Sequence, residues 1–287
     1  MDKRQTARIK LIISTFAFGT IGLFVRGINM SSAGIACARG IIGALFLLAW
    51  ILLRGRRPDG AAIKKNLRLL IISGVCISLN WIMLFEAYNY TTVAVATLCY
   101  YMAPIIVIAV SPFVFKEKMT LKKLICMAAA LVGMFFVSGA AENGGAIGDV
   151  RGVLLGLGAA ALYACAILLN KHVADIDAFD KTVIQLGTAG VILVPYCLAT
   201  GAFAAASLDV TGIILLAVVC IVHTGICYCL YFGSMDALPS HSIALISYVD
   251  PVVAVLLSAV VLKEGLSLLG GLGAIMVIAA AMISEME

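Results

Sequence analysis

Ten stretches of this chain, at about 9–26, 32–53, 66–87, 91–115, 121–138, 152–169, 182–200, 210–235, 242–262 and 266–283, are long apolar runs almost free of charged side chains. A helix needs about 20 such residues to cross the hydrocarbon of a bilayer. No backbone N–H or C=O can be left open in lipid, so a crossing segment is a helix or a strand of a closed barrel. These runs are continuous and do not alternate apolar with polar, which excludes the barrel. The reading is an all-α integral membrane protein of ten transmembrane helices. The runs occupy nearly all of the 287 residues, which leaves no room for a soluble catalytic domain.

Charged residues are 12% of the chain, half of the roughly 25% that a water-facing domain carries. Their placement is lopsided. If the N-terminus is cytoplasmic, Lys3, Arg4, Arg8 and Lys10 lie inside, as do the clusters Arg54–Arg68, Lys116–Lys123 and Lys171–Lys181. Sixteen of the twenty basic residues then fall on one side; Arg26, Arg151 and Lys263 fall on the other, and Arg39 is within a span. This bias predicts both termini in the cytoplasm. The net charge of +5 is therefore a signal of topology rather than a nucleic-acid footprint. The basic N-terminus followed by an apolar run resembles a signal peptide, but the run is as long as a span and the later charge pattern requires that it be retained. The nine cysteines all lie in predicted spans without metal-ligand spacing and read as small packing residues. No metal and no cofactor is expected. A GxxxxGK[ST] phosphate loop is also absent, so the chain does not hydrolyse ATP by that route.

Residues 139–150 are the least apolar stretch in the middle of the chain and divide it into two halves, 9–138 and 151–284. At an offset of 147 the halves align: Phe85 on Phe232, Leu98 on Leu245, Tyr101 on Tyr248, Pro104 on Pro251, Ser111 on Ser258 and Lys116-Glu117 on Lys263-Glu264. Each half holds five spans. Five is odd, so the second copy enters the membrane from the opposite side, and the fold expected is two inverted five-helix repeats with a substrate site near the midplane between them.

The segments AYNYTTVAVATL (87–98), Ala103-Pro104, FKEKMTL (115–121), YVDPVVA (248–254) and LKEGLSL (262–268) resemble the EamA-type members of the drug/metabolite transporter superfamily over essentially the full length. Lys116 and Lys263 stand where the family usually has glycine, and Ala237-Leu238 replaces the second Tyr-Thr. The resemblance implies a bacterial inner-membrane carrier, often an exporter of amino acids or other metabolites, with spans 3, 4, 8 and 9 around the cavity. It also implies an arginine in span 2, matched by Arg39, and an acidic residue before the span-9 proline, matched by Asp250.

An ionised side chain at mid-membrane costs about 2.5–3.5 kcal/mol on insertion scales, so Arg39 and Asp250 stand out. Asp250 either takes up a coupling proton, binds a substrate ammonium, or pairs with Arg39 or His223. Arg39 either offers its planar donor fork to a carboxylate or binds helix carbonyls. His223 is a proton-relay candidate or a satisfied packing histidine. Glu86, near the outer end of span 3, lines a vestibule and serves coupling, or snorkels to the interface. Asn80 lies deeper on the same span. The repeat duplicates an aromatic set: Trp81 with Tyr228, Phe85 with Phe232, and Tyr101 with Tyr248. These rings suit an apolar substrate or a cation held over ring faces, or else ordinary packing; Tyr100, next to Tyr101, does not share its helix face. Pro104 and Pro251 are the hinge candidates. Glu117 and Glu264 open spans 5 and 10 beside Thr120 and Ser267 and read as helix-start groups.

The expectation is a secondary transporter that exports a small metabolite, an amino acid or similar zwitterion, by alternating access, possessing no enzymatic activity. Its partners would be the small-molecule substrate, the lipid bilayer and a coupling proton. The alternative is an importer or exchanger of an organic cation; an integral-membrane enzyme would need a cluster of catalytic groups that three separated histidines do not supply. Closely spaced glycines fit packing within one subunit, and the oligomeric state is left open.

Overall fold

A helix closes its own backbone hydrogen bonds, and helices are what these runs form. The computed structural model describes residues 2–91, 96, 99–117, 119–137, 150–204, 206–261 and 267–285, and its regular structure among them is helical. The first helices are α1 (Lys3–Val25), α2 (Ser32–Leu53), α3 (Gly60–Tyr90), α4 (Ala103–Phe115) and α5 (Leu121–Val137). After them come α6 (Val150–His172) and α7 (Ala178–Ala199). Next, α8 (Val210–Val218) passes through a π-helical stretch, Val219–Ile226, into α9 (Cys227–Ser234) and a 3-10 turn, Met235–Ala237. The last three are α10 (Ser240–Ser247), α11 (Val249–Val261) and α12 (Leu268–Glu285). Among the described residues six segments are long and apolar enough to cross a membrane: α1, α2, α3, α6, α7 and the line from Val210 to Ala237. The stretch read as a linker lies, up to residue 149, outside the described residues, as do Lys263 and Glu264.

Short polar caps end the apolar runs. Ser31 accepts from the Gly34 N–H, Asp59 from Ala61 and Ala62, Asp177 from Phe179, and Asp209 from Gly212. Each satisfies N–H groups that the first helical turn leaves open. The outer surface is greasy: Leu53, Phe113 and Leu268 are each more than 80% exposed, which water would penalise and lipid does not.

Helices of the two halves interleave. α2 lies along α7, α5 along α12, α3 along α6 and α7, α1 along α9 and α11, and α4 against α6 and α10. Small residues make the crossings close. A Cβ on Gly40 would sit 2.8 Å from the Gly190 Cα, and one on Gly19 would sit 2.5 Å from the Asp250 carbonyl oxygen. Any side chain at either place would push the helices apart. Buried polar groups add specific ties. The Gln185 amide donates to Ser73 Oγ (3.0 Å) and Asn170 Oδ1 (2.9 Å), joining α3, α6 and α7.

The two hinge-candidate prolines lie where helices begin. Pro104 is in the first turn of α4, and Pro251 in the first turn of α11. Span 9 is thus two helices that meet at Tyr248, and Pro251 is not inside a continuous one. A proline at a helix start loses no hydrogen bond, because the first turn has no partner for that N–H.

Candidate functional site

Where these breaks fall, polar side chains meet. A small cavity of about 30 Å³ is lined by Thr15 and Phe18 of α1, Tyr100, Tyr101, Ala103 and Pro104 at the entry to α4, Tyr163 of α6, Tyr231 of α9, Ser247 of α10 and Asp250 of α11. Three hydroxyls run along one wall. Tyr163 donates to the Tyr231 oxygen (3.2 Å), Tyr231 is bonded to Ser247 Oγ (2.9 Å), and Ser247 donates to the Ile243 carbonyl (2.7 Å). Tyr100 stacks on Tyr163 with ring centroids 5.6 Å apart. Asp250 brings the one acidic side chain among these lining residues. The wall therefore combines a carboxylate, ring faces and hydroxyls, a set suited to an ammonium group.

Tyr100 is a correction to the sequence reading. Adjacent residues cannot share a helix face, but residues 101–102 form a turn, so both rings reach the cavity. Tyr163, Tyr231 and Ser247 were missed by sequence reasoning. Ser247 carried a signal: it lies 147 residues after Tyr100.

Arg39 lies outside the residues that line the cavity. Its Nε donates to Thr224 Oγ1 (2.9 Å), and its guanidinium carbon is 4.8 Å from the Trp81 ring centroid. The Tyr228 hydroxyl is within interaction range of Trp81 and Arg39. The Tyr228 ring in turn packs on Phe18 of the cavity wall at 5.1 Å and on Phe232 at 5.3 Å. Arg39 is thus bonded to Thr224 rather than to Asp250, and its charge reaches the acid only through space.

The other candidates are dispersed. His223 sits in the π stretch, with Nε2 2.8 Å from Thr20 Oγ1, Nδ1 3.4 Å from the Val218 carbonyl and its ring against Phe24 at 4.8 Å. Glu86 accepts from the Tyr196 hydroxyl (2.6 Å) and from Asn89 (3.2 Å). Asn80 is fully buried and donates to the Ala159 carbonyl (2.6 Å), tying α3 to α6. Phe85 and Phe232 pack in the apolar core. Tyr248 is buried and donates to the Tyr101 carbonyl (2.8 Å).

A second polar cluster joins the halves at the end of the molecule where α4 finishes. Glu117 accepts from Lys171 Nζ (2.6 Å), from the Ser240 N–H (3.0 Å) and from Ser240 Oγ (3.0 Å), with His241 Nδ1 at 3.8 Å. Lys171 Nζ also lies 4.6 Å over the Phe115 ring. Glu117 therefore satisfies the start of α10 in the other half, whereas Thr120 caps its own neighbour α5 through the Lys123 N–H (3.3 Å). Burial alone would raise the Glu117 carboxyl, but His241, Lys171 and the Ser240 N–H outweigh it and hold the group well below the usual carboxylate range. At the same end Arg56 bridges Asp177 (2.9 Å) and Asp180 (2.7 Å), and Lys65 bridges Asp175 (2.9 Å).

An apolar exterior and long apolar helices around a cavity that holds hydroxyls and a carboxyl group mark a multi-pass helical membrane protein. The chain belongs to the EamA-like transporter family, whose profile matches residues 6–139 and again residues 150–286. That family is part of the drug/metabolite transporter superfamily. Among curated proteins the chain is 30% identical over 282 residues to "Uncharacterized transporter YxxF" of Bacillus subtilis (strain 168), covering 96% of this chain and 88% of that one. It is 26% identical over 280 residues to an "Uncharacterized transporter" of Archaeoglobus fulgidus, covering 96% and 95%. A protein of known crystal structure shares the fold at a TM-score of 0.85 and 15% identity, over 97% of each chain.

Proposed function

We propose that this transporter-family protein is a secondary carrier of a small ammonium-bearing metabolite, an amino acid or similar zwitterion, which it exports across the bacterial inner membrane by alternating access. The observation that carries the reading is Asp250 on the wall of a cavity otherwise made of tyrosine rings, hydroxyls and apolar side chains. Charge–charge contact with the carboxylate and cation–π contact with the rings act on the same substrate group.

The architecture proposed is ten spans in two inverted repeats, 9–138 and 151–284, with both termini cytoplasmic. Support comes from the double match to one family profile and from the packing. α2 against α7 and α5 against α12 pair helices of equal rank, and α3 against α6 has its counterpart in α9 against α1. The cavity straddles equivalent positions: Tyr100 and Ser247, Ala103 and Asp250. Three lining elements converge on Glu117, since α4 runs from Ala103 to Phe115, α6 from Tyr163 to Lys171, and α10 back from Ser247 to Ser240. In this reading the Glu117 cluster closes one end of the route, and opening toward that end requires breaking it.

A second reading, carriage of an organic cation, is favoured by Arg39. Its engagement with Thr224 and Trp81, behind Tyr228, leaves no basic side chain among the lining residues to meet a carboxylate. Proteoliposomes loaded with unlabelled substrate and offered labelled amino acids or labelled quaternary amines separate the two. Saturable amino-acid exchange supports the first reading. Amine exchange alone selects the second, and exchange of neither class rejects both.

A further inference from the structure

A groove lies on the outer face of the helix bundle, away from the tyrosine-lined cavity. It holds about 250 Å³ between α1, α2, α7 and α9, and its apolar wall includes Phe46, Trp50, Phe179 and Leu230. Lys10 completes the lining. Every helix of this wall reaches one common level. Lys10 is in the second turn of α1, Trp50 is one turn from the end of α2, Ala178 opens α7, and Gly233 is near the end of α9. From Gly233 the groove runs inward to Ile226, about 10 Å along the helix axis. Trp50 and Ile226 are each about 40% exposed, so the groove is open to the surrounding hydrocarbon.

The mouth is cationic. Lys10 is exposed there, and Arg54 places its guanidinium carbon 4.6 Å over the Trp50 ring. The acids nearby are already engaged: Asp177 pairs with Arg56 at 2.9 Å and Asp236 with Lys181 at 3.4 Å. An apolar trough with two cations at one end matches a ligand that joins an acyl chain to an anionic head. We infer that the groove binds a single anionic glycerophospholipid, an acyl chain lying along α2 and α9 and the phosphate held by Lys10 and Arg54. Basic pockets between helices at the headgroup level recognise anionic lipids by this combination. A zwitterionic lipid offers the same chains, but its choline repels the two cations.

The test is native mass spectrometry of the full chain purified in detergent and offered equal amounts of phosphatidylglycerol and phosphatidylcholine with identical acyl chains. One retained phosphatidylglycerol per protein is expected, preferred by about 25-fold, at about fivefold per cation. Lys10→Gln with Arg54→Gln should bring the preference to within about twofold. Ala178→Phe, which fills the groove, should reduce retention of both lipids. Equal retention by the unaltered protein overturns the inference, as does an unchanged preference in the double variant. A lipid-free dimer also overturns it, because a second copy would then cover the groove. If one variant fails to fold, the comparison of the two lipids on the unaltered chain still decides.

Discussion

Tyr248 donates its hydroxyl to the backbone carbonyl of Tyr101 at 2.8 Å, and the two residues lie 147 positions apart. The same offset places Pro104 on Pro251. Equivalent residues of the two aligned halves therefore touch each other directly, beside the cavity to which Tyr101 contributes. Tyr248→Phe removes this donor and leaves a part-buried carbonyl with less to bond. The expected cost is about 1–3 kcal/mol, read as a lower melting temperature of the purified protein. An unaltered melting temperature would show that the bond carries no weight.

Glu117 gives a pH dependence with a definite sign. Its native carboxyl is held below the ordinary value of 4.5, so it contributes stability that is complete above that value and fades as pH falls through the native one. Glu117→Gln should therefore lower thermal stability at pH 7. The gap between the two proteins should narrow only below about pH 4.5. A gap that closes already between pH 7 and pH 6 would show that the Glu117 carboxylate does not carry the effect.

Asp250→Asn keeps the shape of the cavity wall and removes its charge. Binding of an ammonium-bearing substrate should weaken by about 10- to 100-fold, the range for hydrogen bonds to charged groups, measured by ligand-induced thermal stabilisation. Unchanged stabilisation by the same ligand would remove Asp250 from the site.

Arg39→Gln separates a packing role from a binding role. The variant loses the bond to Thr224 and the contact with Trp81, so its melting temperature without ligand should fall. Affinity for a quaternary amine should stay within about threefold, since less than 1 kcal/mol is at stake for a group outside the lining. A loss of binding as large as that of Asp250→Asn would place the guanidinium in contact with substrate.

Gly190→Val puts branched carbons where a single Cβ already meets Ile41 at 2.7 Å and the Gly40 backbone at 3.0 Å. The expected destabilisation is about 1–3 kcal/mol, the usual cost of overpacking, read by thermal unfolding.

Sequence reasoning reached the helical membrane class and picked out Asp250, which lies on the cavity wall, because an apolar run and a charge inside it are local facts. It missed the cavity's other wall because Tyr163 and Tyr231 are ordinary aromatic residues until three helices bring them to a common hydroxyl line. It placed Pro251 inside a helix because hydropathy is blind to a backbone break at Tyr248. It read Glu117 as serving the next helix in the chain, a sound local argument. The backbone N–H that Glu117 meets is that of Ser240 in α10, more than 120 residues away, and no spacing rule reports it.

The π-helical stretch from Val219 to Ile226 has no match in α3, its counterpart at the 147-residue offset, which is regular from Gly60 to Tyr90. A widened turn admits an additional residue and rotates the remainder of the helix by roughly 100° relative to a continuous α-helix. In a carrier built of two inverted copies, perfect likeness would make its inward and outward poses equal in energy. In the carrier proposed above, one copy with a wider coil would break that tie and set a resting orientation before any substrate or gradient acts on it.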